Sequence, residues 1–202
     1  MFVRQVVNRI FDSNTWVLKN KCNYWLVDCG DWDLIQSVFD SCLLIKGVFL
    51  THGHFDHIYG LNQVLERFPE ITVYASEYGK SCLYSDKLNF SRYHETSFVF
   101  EGKKVVVLRD GDQVVIGNRI VEVMETPGHD PGCLCYKLEN YFFTGDSFIP
   151  GIKTVTNLRG GDKEANKMSL EKIRRVLTGE TIVCPGHGNM LKIANECLLD
   201  MV

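Results

Sequence analysis

Apolar positions in the first half of the chain fall in short runs, not in long helical stripes. Val3–Val7, Thr15–Lys19 and Tyr24–Asp28 read as three successive strands, the last stopping at Cys29-Gly30. Asp31 then reads as an N-cap, and Leu34, Ile35, Val38 and Phe39 carry helical spacing. Ile45–Leu50 is a continuous apolar run of the buried-strand kind, and it leads straight into Thr51. The spacing predicts a helix over Ile58–Phe68 through Leu61, Val64, Leu65 and Phe68, a strand over Ile71–Ala75, and a helix capped by Ser76 running to Leu83. Residues 84–99 break the periodicity and read as a loop over the surface.

Strand signals return at Lys104–Leu108, Val114–Ile116, Arg119–Glu125, Cys133–Leu138 and Tyr141–Thr144, with turns at Asp110-Gly111-Asp112 and Gly117-Asn118. A helix over Ser169–Leu177, a strand over Thr181–Cys184 and a closing helix over Leu191–Leu199 complete the pattern. With no linker, repeat or low-complexity run, residues 1–202 read as a single domain. Two groups of strands, each followed by helices, suit two sheets packed face to face with helices outside and a site along one common edge.

Composition narrows the class. The 202 residues are 45% hydrophobic with a net charge of −3, which leaves no basic footprint for nucleic acid. Lys103-Lys104 and Arg174-Arg175 read as solvated surface. The first residues lack the apolar core and cleavage site of a secretion signal, and no run approaches the roughly 20 apolar residues of a membrane span. The expectation is a soluble, cytoplasmic protein, monomer or homodimer, acting on a small molecule without a membrane or nucleic-acid partner. Eight cysteines, at 22, 29, 42, 82, 133, 135, 184 and 197, form no CxxC pair and read as reduced, mostly buried thiols.

The chemistry sits in Thr51-His52-Gly53-His54-Phe55-Asp56-His57. Three imidazoles and a carboxylate at a strand's end, with Gly53 easing the turn, offer ligands for zinc, manganese or iron. A lone histidine there would be an ordinary loop residue; three with an interleaved aspartate are a metal site. Thr126-Pro127-Gly128-His129, Phe143-Thr144-Gly145-Asp146 and Pro185-Gly186-His187-Gly188 repeat the layout, so five of the six histidines lie just past strands. His52, His54, Asp56, His57, His129, Asp146 and His187 are too many ligands for one ion; two divalent ions roughly 3.5–4 Å apart would use them all.

The ordered set HxHxDH, TPGH, TGD and PGHG resembles the metallo-β-lactamase superfamily, and within it the glyoxalase II (hydroxyacylglutathione hydrolase) branch, over nearly the whole chain. The resemblance implies an α/β fold, a four-layer αββα sandwich with a dimetal site at one sheet edge. It implies two divalent ions, zinc first with iron or manganese as alternatives. His52, His54 and His129 would hold one, Asp56, His57 and His187 the other, and Asp146 would bridge them. Asp56 and Asp146 are then the catalytic carboxylates, Asp56 orienting a nucleophilic hydroxide toward a thioester, ester or lactone carbonyl.

Departures qualify the branch. The chain runs about a dozen residues beyond Gly188, where glyoxalase II enzymes add a helical glutathione-binding segment, and Ser147–Asp162 differs from that family's usual stretch. This reads as a short form. Pro131-Gly132-Cys133 resembles persulfide dioxygenases, which use one iron, although their arginine-containing loop after the TGD aspartate is not recognisable. His54 stands against the flavo-diiron branch, and the length leaves no room for an RNA-recognition module. A non-catalytic metal-retaining domain is the third reading.

Other residues carry weaker signals. Cys133 and Cys135 read as small buried hydrophobes, and His94 as a surface residue. Tyr84, Phe90 and Tyr93 are candidates for a substrate wall or lid. Asp28 reads as a carboxylate orienting a ligand histidine or as a turn cap. Lys153 and Arg159 read as solvated loop residues.

Overall fold

The β-branched and aromatic runs pair into two six-stranded mixed sheets in a computed structural model, which describes residues 1–39 and 44–193. The chain divides into two compact units, Met1–Val107 and Leu108–Val202.

In the first unit the sheet order is β1 (Phe2–Val7), β2 (Asn14–Asn20), β3 (Asn23–Val27), β4 (Leu44–Phe49), β5 (Thr72–Ala75) and β6 (Val105–Val107). β1 to β3 pair antiparallel; β3 to β6 pair in parallel. Parallel neighbours need crossovers, supplied here by α1 (Trp32–Gln36), α2 (Leu61–Arg67) and α3 (Glu77–Leu83). Val17, Leu26, Val48 and Val73 of the sheet pack with Ile35, Leu61, Val64 and Leu83 of the helices in one core. Both N-caps read from sequence form: Asp31 accepts from the Leu34 N–H and Ser76 from the Gly79 N–H.

In the second unit the order is β12 (Leu191–Lys192), β11 (Ile182–Pro185), β10 (Tyr141–Gly145), β9 (Leu134–Leu138), β8 (Arg119–Glu125) and β7 (Gln113–Ile116). Among the described strands of this unit only β10 and β11 run parallel, joined through α4 (Lys163–Val176), whose Ile173 packs with Phe142, Phe148 and Val183.

The expected elements depart from the sheet and helix bounds in four places. α2 begins at Leu61, not Ile58, because Phe55–His57 makes a 3-10 turn and the His57 and Gly60 backbones bond to Cys29 instead of continuing a helix. α4 starts six residues before Ser169, capped by Asp162, which accepts from the Glu164 and Ala165 N–H groups. Leu191–Lys192 is an edge strand where a helix is expected, and the rest of that segment lies outside the described residues. Residues 84–99 are not a simple surface loop. Fully buried Asn89 donates from Nδ2 to the Cys82 and Phe98 carbonyls and accepts from the Ser91 N–H, while its own carbonyl takes the Phe55 N–H. Among the described residues no helix is long and apolar enough to cross a membrane.

Asn89→Ala removes one donor from each of two carbonyls and the acceptor of the Ser91 N–H at once. The expected loss is about 1–3 kcal/mol, read as a shift in the urea midpoint at constant slope.

Candidate metal centre

Ligand candidates gather where parallel strands end. β3 and β4 pair in parallel with Val27 opposite Phe49, so the residues just past both strands emerge side by side. There Asp28, at φ +59°, turns its carboxylate back under the next loop. Its Oδ1 accepts the Thr51 N–H at 2.7 Å, and its Oδ2 accepts the Thr51 hydroxyl at 2.7 Å and His57 Nδ1–H at 3.0 Å. Thr51 Oγ1, its proton committed to Asp28, accepts from His52 Nδ1 at 3.1 Å. One buried carboxylate thereby sets the tautomers of two histidines, leaving the lone pair of each on Nε2. Burial pushes the Asp28 carboxyl up, and the His57 and Thr51 bonds act against that.

The imidazoles crowd together. The His52 ring lies 4.5 Å from that of His54 and 4.3 Å from that of His57, and all three are buried. Asp56 Oδ2 stands 3.3 Å from His57 Nε2, and Ser13 Oγ donates to the Asp56 carbonyl. Gly53 is needed here for closeness: a Cβ on it would lie 2.3 Å from Cys82 Cβ.

In the second unit the same logic recurs at the β10–β11 pair, where Gly145 faces Pro185 and Gly186 N–H bonds to the Gly145 carbonyl. Asp146 and His187 follow these strands, and Asp146 Oδ2 lies 3.4 Å from His187 Nε2 and 3.5 Å from His129 Nε2. His129 donates from Nδ1 to the Val155 carbonyl at 2.8 Å, an acceptor only, so its lone pair also sits on Nε2. Gly128, at φ +142°, brings its backbone against Asn166 of α4, where a Cβ would lie 2.4 Å away. Thr126 and Ser147 bond beneath the loop, and burial raises Asp130 to about 6.

These contacts test whether the residues suit a metal. His57 Nε2 against Asp56, and His129 Nε2 against Asp146, each set a lone pair beside a carboxylate oxygen at 3.3–3.5 Å. Two acceptors at that spacing suit a cation between them, and imidazole with carboxylate is a donor set for zinc, manganese or iron. The fit is good in both units.

Four of the expected ligands, His52, His54, Asp56 and His57, thus cluster in the first unit, and His129, Asp146 and His187 in the second. Asp28 is the orienting carboxylate. His94 departs from expectation: it is half-buried, its ring 4.8 Å from that of Phe55. Tyr84 donates to the Gly102 carbonyl and Tyr93 is 73% exposed, whereas the Phe90 ring stands 5.0 Å from His54. Lys153 and Arg159 are exposed. Sequence reasoning missed the parts played by Thr51 and the Val155 carbonyl; a main-chain acceptor has no side-chain signature. Cys29, Cys82, Cys133, Cys135 and Cys184 are all buried, and burial pushes the Cys135 thiol up to about 12.

The chain belongs to the metallo-beta-lactamase superfamily, whose family model matches residues 9–187. Its two mixed sheets with helices are the αββα fold of that family. A hydroxyacylglutathione hydrolase of Hamiltonella defensa subsp. Acyrthosiphon pisum (strain 5AT) is 31% identical over 179 residues, 87% of this chain; the chain spans 63% of that relative's length. Among solved structures, the BLEG-1 B3 metallo-beta-lactamase is 30% identical with a TM-score of 0.87, over 97% of this chain and 96% of that one. ETHE1 from Myxococcus xanthus is 25% identical with a TM-score of 0.74, over 98% and 82%.

Asp28→Asn places an amide where a three-fold acceptor stands. Metal affinity, measured by competition with a chromogenic chelator, is expected to fall about 10–100-fold with the fold retained by circular dichroism. Gly53→Ala must push α3 away and is expected to lower stability by about 1–3 kcal/mol in thermal melts.

Proposed function

We propose that the chain is a metal-dependent hydrolase in which His52, His54, Asp56, His57, His129, Asp146 and His187 form one dimetal centre. The observation that carries this reading is the convergence of like-polarity donors, Nε2 lone pairs against carboxylate oxygens, with tautomers fixed from behind by Asp28, Thr51 and the Val155 carbonyl. The family model supports joining the two clusters, since residues 9–187 take in all seven positions.

His52, His54 and His129 would hold one divalent ion and Asp56, His57 and His187 the other, with Asp146 shared. When bound, two such ions supply Lewis acidity, lowering the pKa of a water and polarising a carbonyl. Asp56 would orient the nucleophile toward the substrate carbonyl. Asp146, with Oδ2 near both His129 and His187, fixes the spacing of the donors. Asp28 keeps both imidazoles it governs from rotating, so no reorganisation accompanies the reaction.

The substrate is proposed as a small thioester, ester or lactone. The relative named as a hydroxyacylglutathione hydrolase supports the thioester, and the B3 metallo-beta-lactamase adds a β-lactam to the compounds worth assaying.

Protein purified without added metal is expected to carry about two divalent ions per chain, zinc foremost, and to cleave at least one member of a thioester, ester, lactone and β-lactam panel. Chelation, His52→Ala and Asp146→Asn should each reduce turnover by more than the roughly 10–100-fold that loss of an outer hydrogen bond brings. One tightly bound iron with oxygen uptake would replace hydrolysis by persulfide oxidation. Undiminished physiological activity in both variants would favour a binding role.

A further inference from the structure

Phe90 holds its backbone at φ +67°, a left-handed conformation that aromatic residues avoid. Its neighbours hold it there. Asn89 is buried and bonded to Cys82, Phe98 and Ser91, and Ser91 bonds through Oγ to the Phe98 carbonyl. Glycine or asparagine would occupy that conformation at less cost, yet the chain sets a phenylalanine in it. Strain of this kind beside a functional edge points to a use for the side chain.

The ring shows what that use is. It meets the His54 imidazole at 5.0 Å and 69°, half-buried, with its outer part continued by the Tyr93 ring 6.5 Å away. A candidate metal ligand therefore has an apolar wall directly beside it. The wall is anchored from below, so a ligand need not order it on binding.

We propose that Phe90 is a specificity-determining residue. It forms a fixed apolar shelf beside His54 that selects substrates with an aryl or branched alkyl group next to the reacting carbonyl. An aryl group gains an offset or edge-to-face contact there. A hydroxyl laid on the same surface gives up water without gaining a partner. This inference rests on the hydrolytic reading for its substrate class, while the shelf itself is tested by binding.

Phe90→Gly removes the ring and suits the left-handed backbone, so it is the variant expected to stay folded; thermal melts and metal content check that. Phe90→Leu retains apolar bulk without an aromatic face. Calorimetry on metal-loaded protein compares phenylacetate with acetate, and kcat/KM is compared across phenylacetyl, acetyl and 2-hydroxypropionyl thioesters. Wild type is expected to favour phenylacetate by about tenfold or more, Phe90→Leu to fall between, and Phe90→Gly to lose the preference. An unchanged ratio in Phe90→Gly overturns the shelf. A preference lost in Phe90→Gly, with no thioester cleaved by wild type, keeps the shelf and removes the hydrolytic reading.

Discussion

A single buried carboxylate organises the candidate ligands of the first unit. Asp28 lies at the end of β3, and the parallel pairing with β4 delivers Thr51 to it. Three donors meet its two oxygens: the Thr51 amide, the Thr51 hydroxyl and His57 Nδ1–H. Through the hydroxyl its influence reaches His52. An anion this deeply placed is costly unless fully hydrogen-bonded, and the donors that offset the cost are the ones that set the imidazole tautomers. Holding the fold together at this point and aiming the candidate ligands are the same act.

The second unit reaches a similar result with less charge. The parallel pair β10–β11 brings Asp146 and His187 out beside each other, and a main-chain carbonyl orients His129. In both units most residues with chemistry leave the carboxyl ends of adjacent parallel strands, the edge at which α/β sheets commonly bind ligands, whereas His129 follows the antiparallel strand β8. Gly53 and Gly128 serve these loops in one way, by allowing α3 and α4 to approach more closely than any side chain permits.

Much of this was legible in the sequence because burial writes itself as periodicity. The apolar runs located nearly every strand, and the ligand residues stood out by type just past them. The first half of α4 was hidden because Lys163–Met168 is polar and its Met168 is exposed, so no apolar stripe marks it. The late start of α2 follows from a long-range bond between Cys29 and His57, which no local pattern reveals. Residues 84–99 looked like surface because their anchor is one asparagine, a residue type that ordinarily signals a turn. The αββα class followed from motif order and agrees with the solved relatives.

The buried cysteines have a chemical consequence of their own. Thiolate, not thiol, captures soft cations and is the form that peroxide attacks. Burial holds Cys29, Cys133, Cys135 and Cys184 protonated at any physiological pH. At these four positions sulfur fills space inside the protein, as a small apolar side chain would. Among the described residues, the His and Asp groups that could hold a metal therefore offer nitrogen and oxygen alone, with these thiols held back as packing.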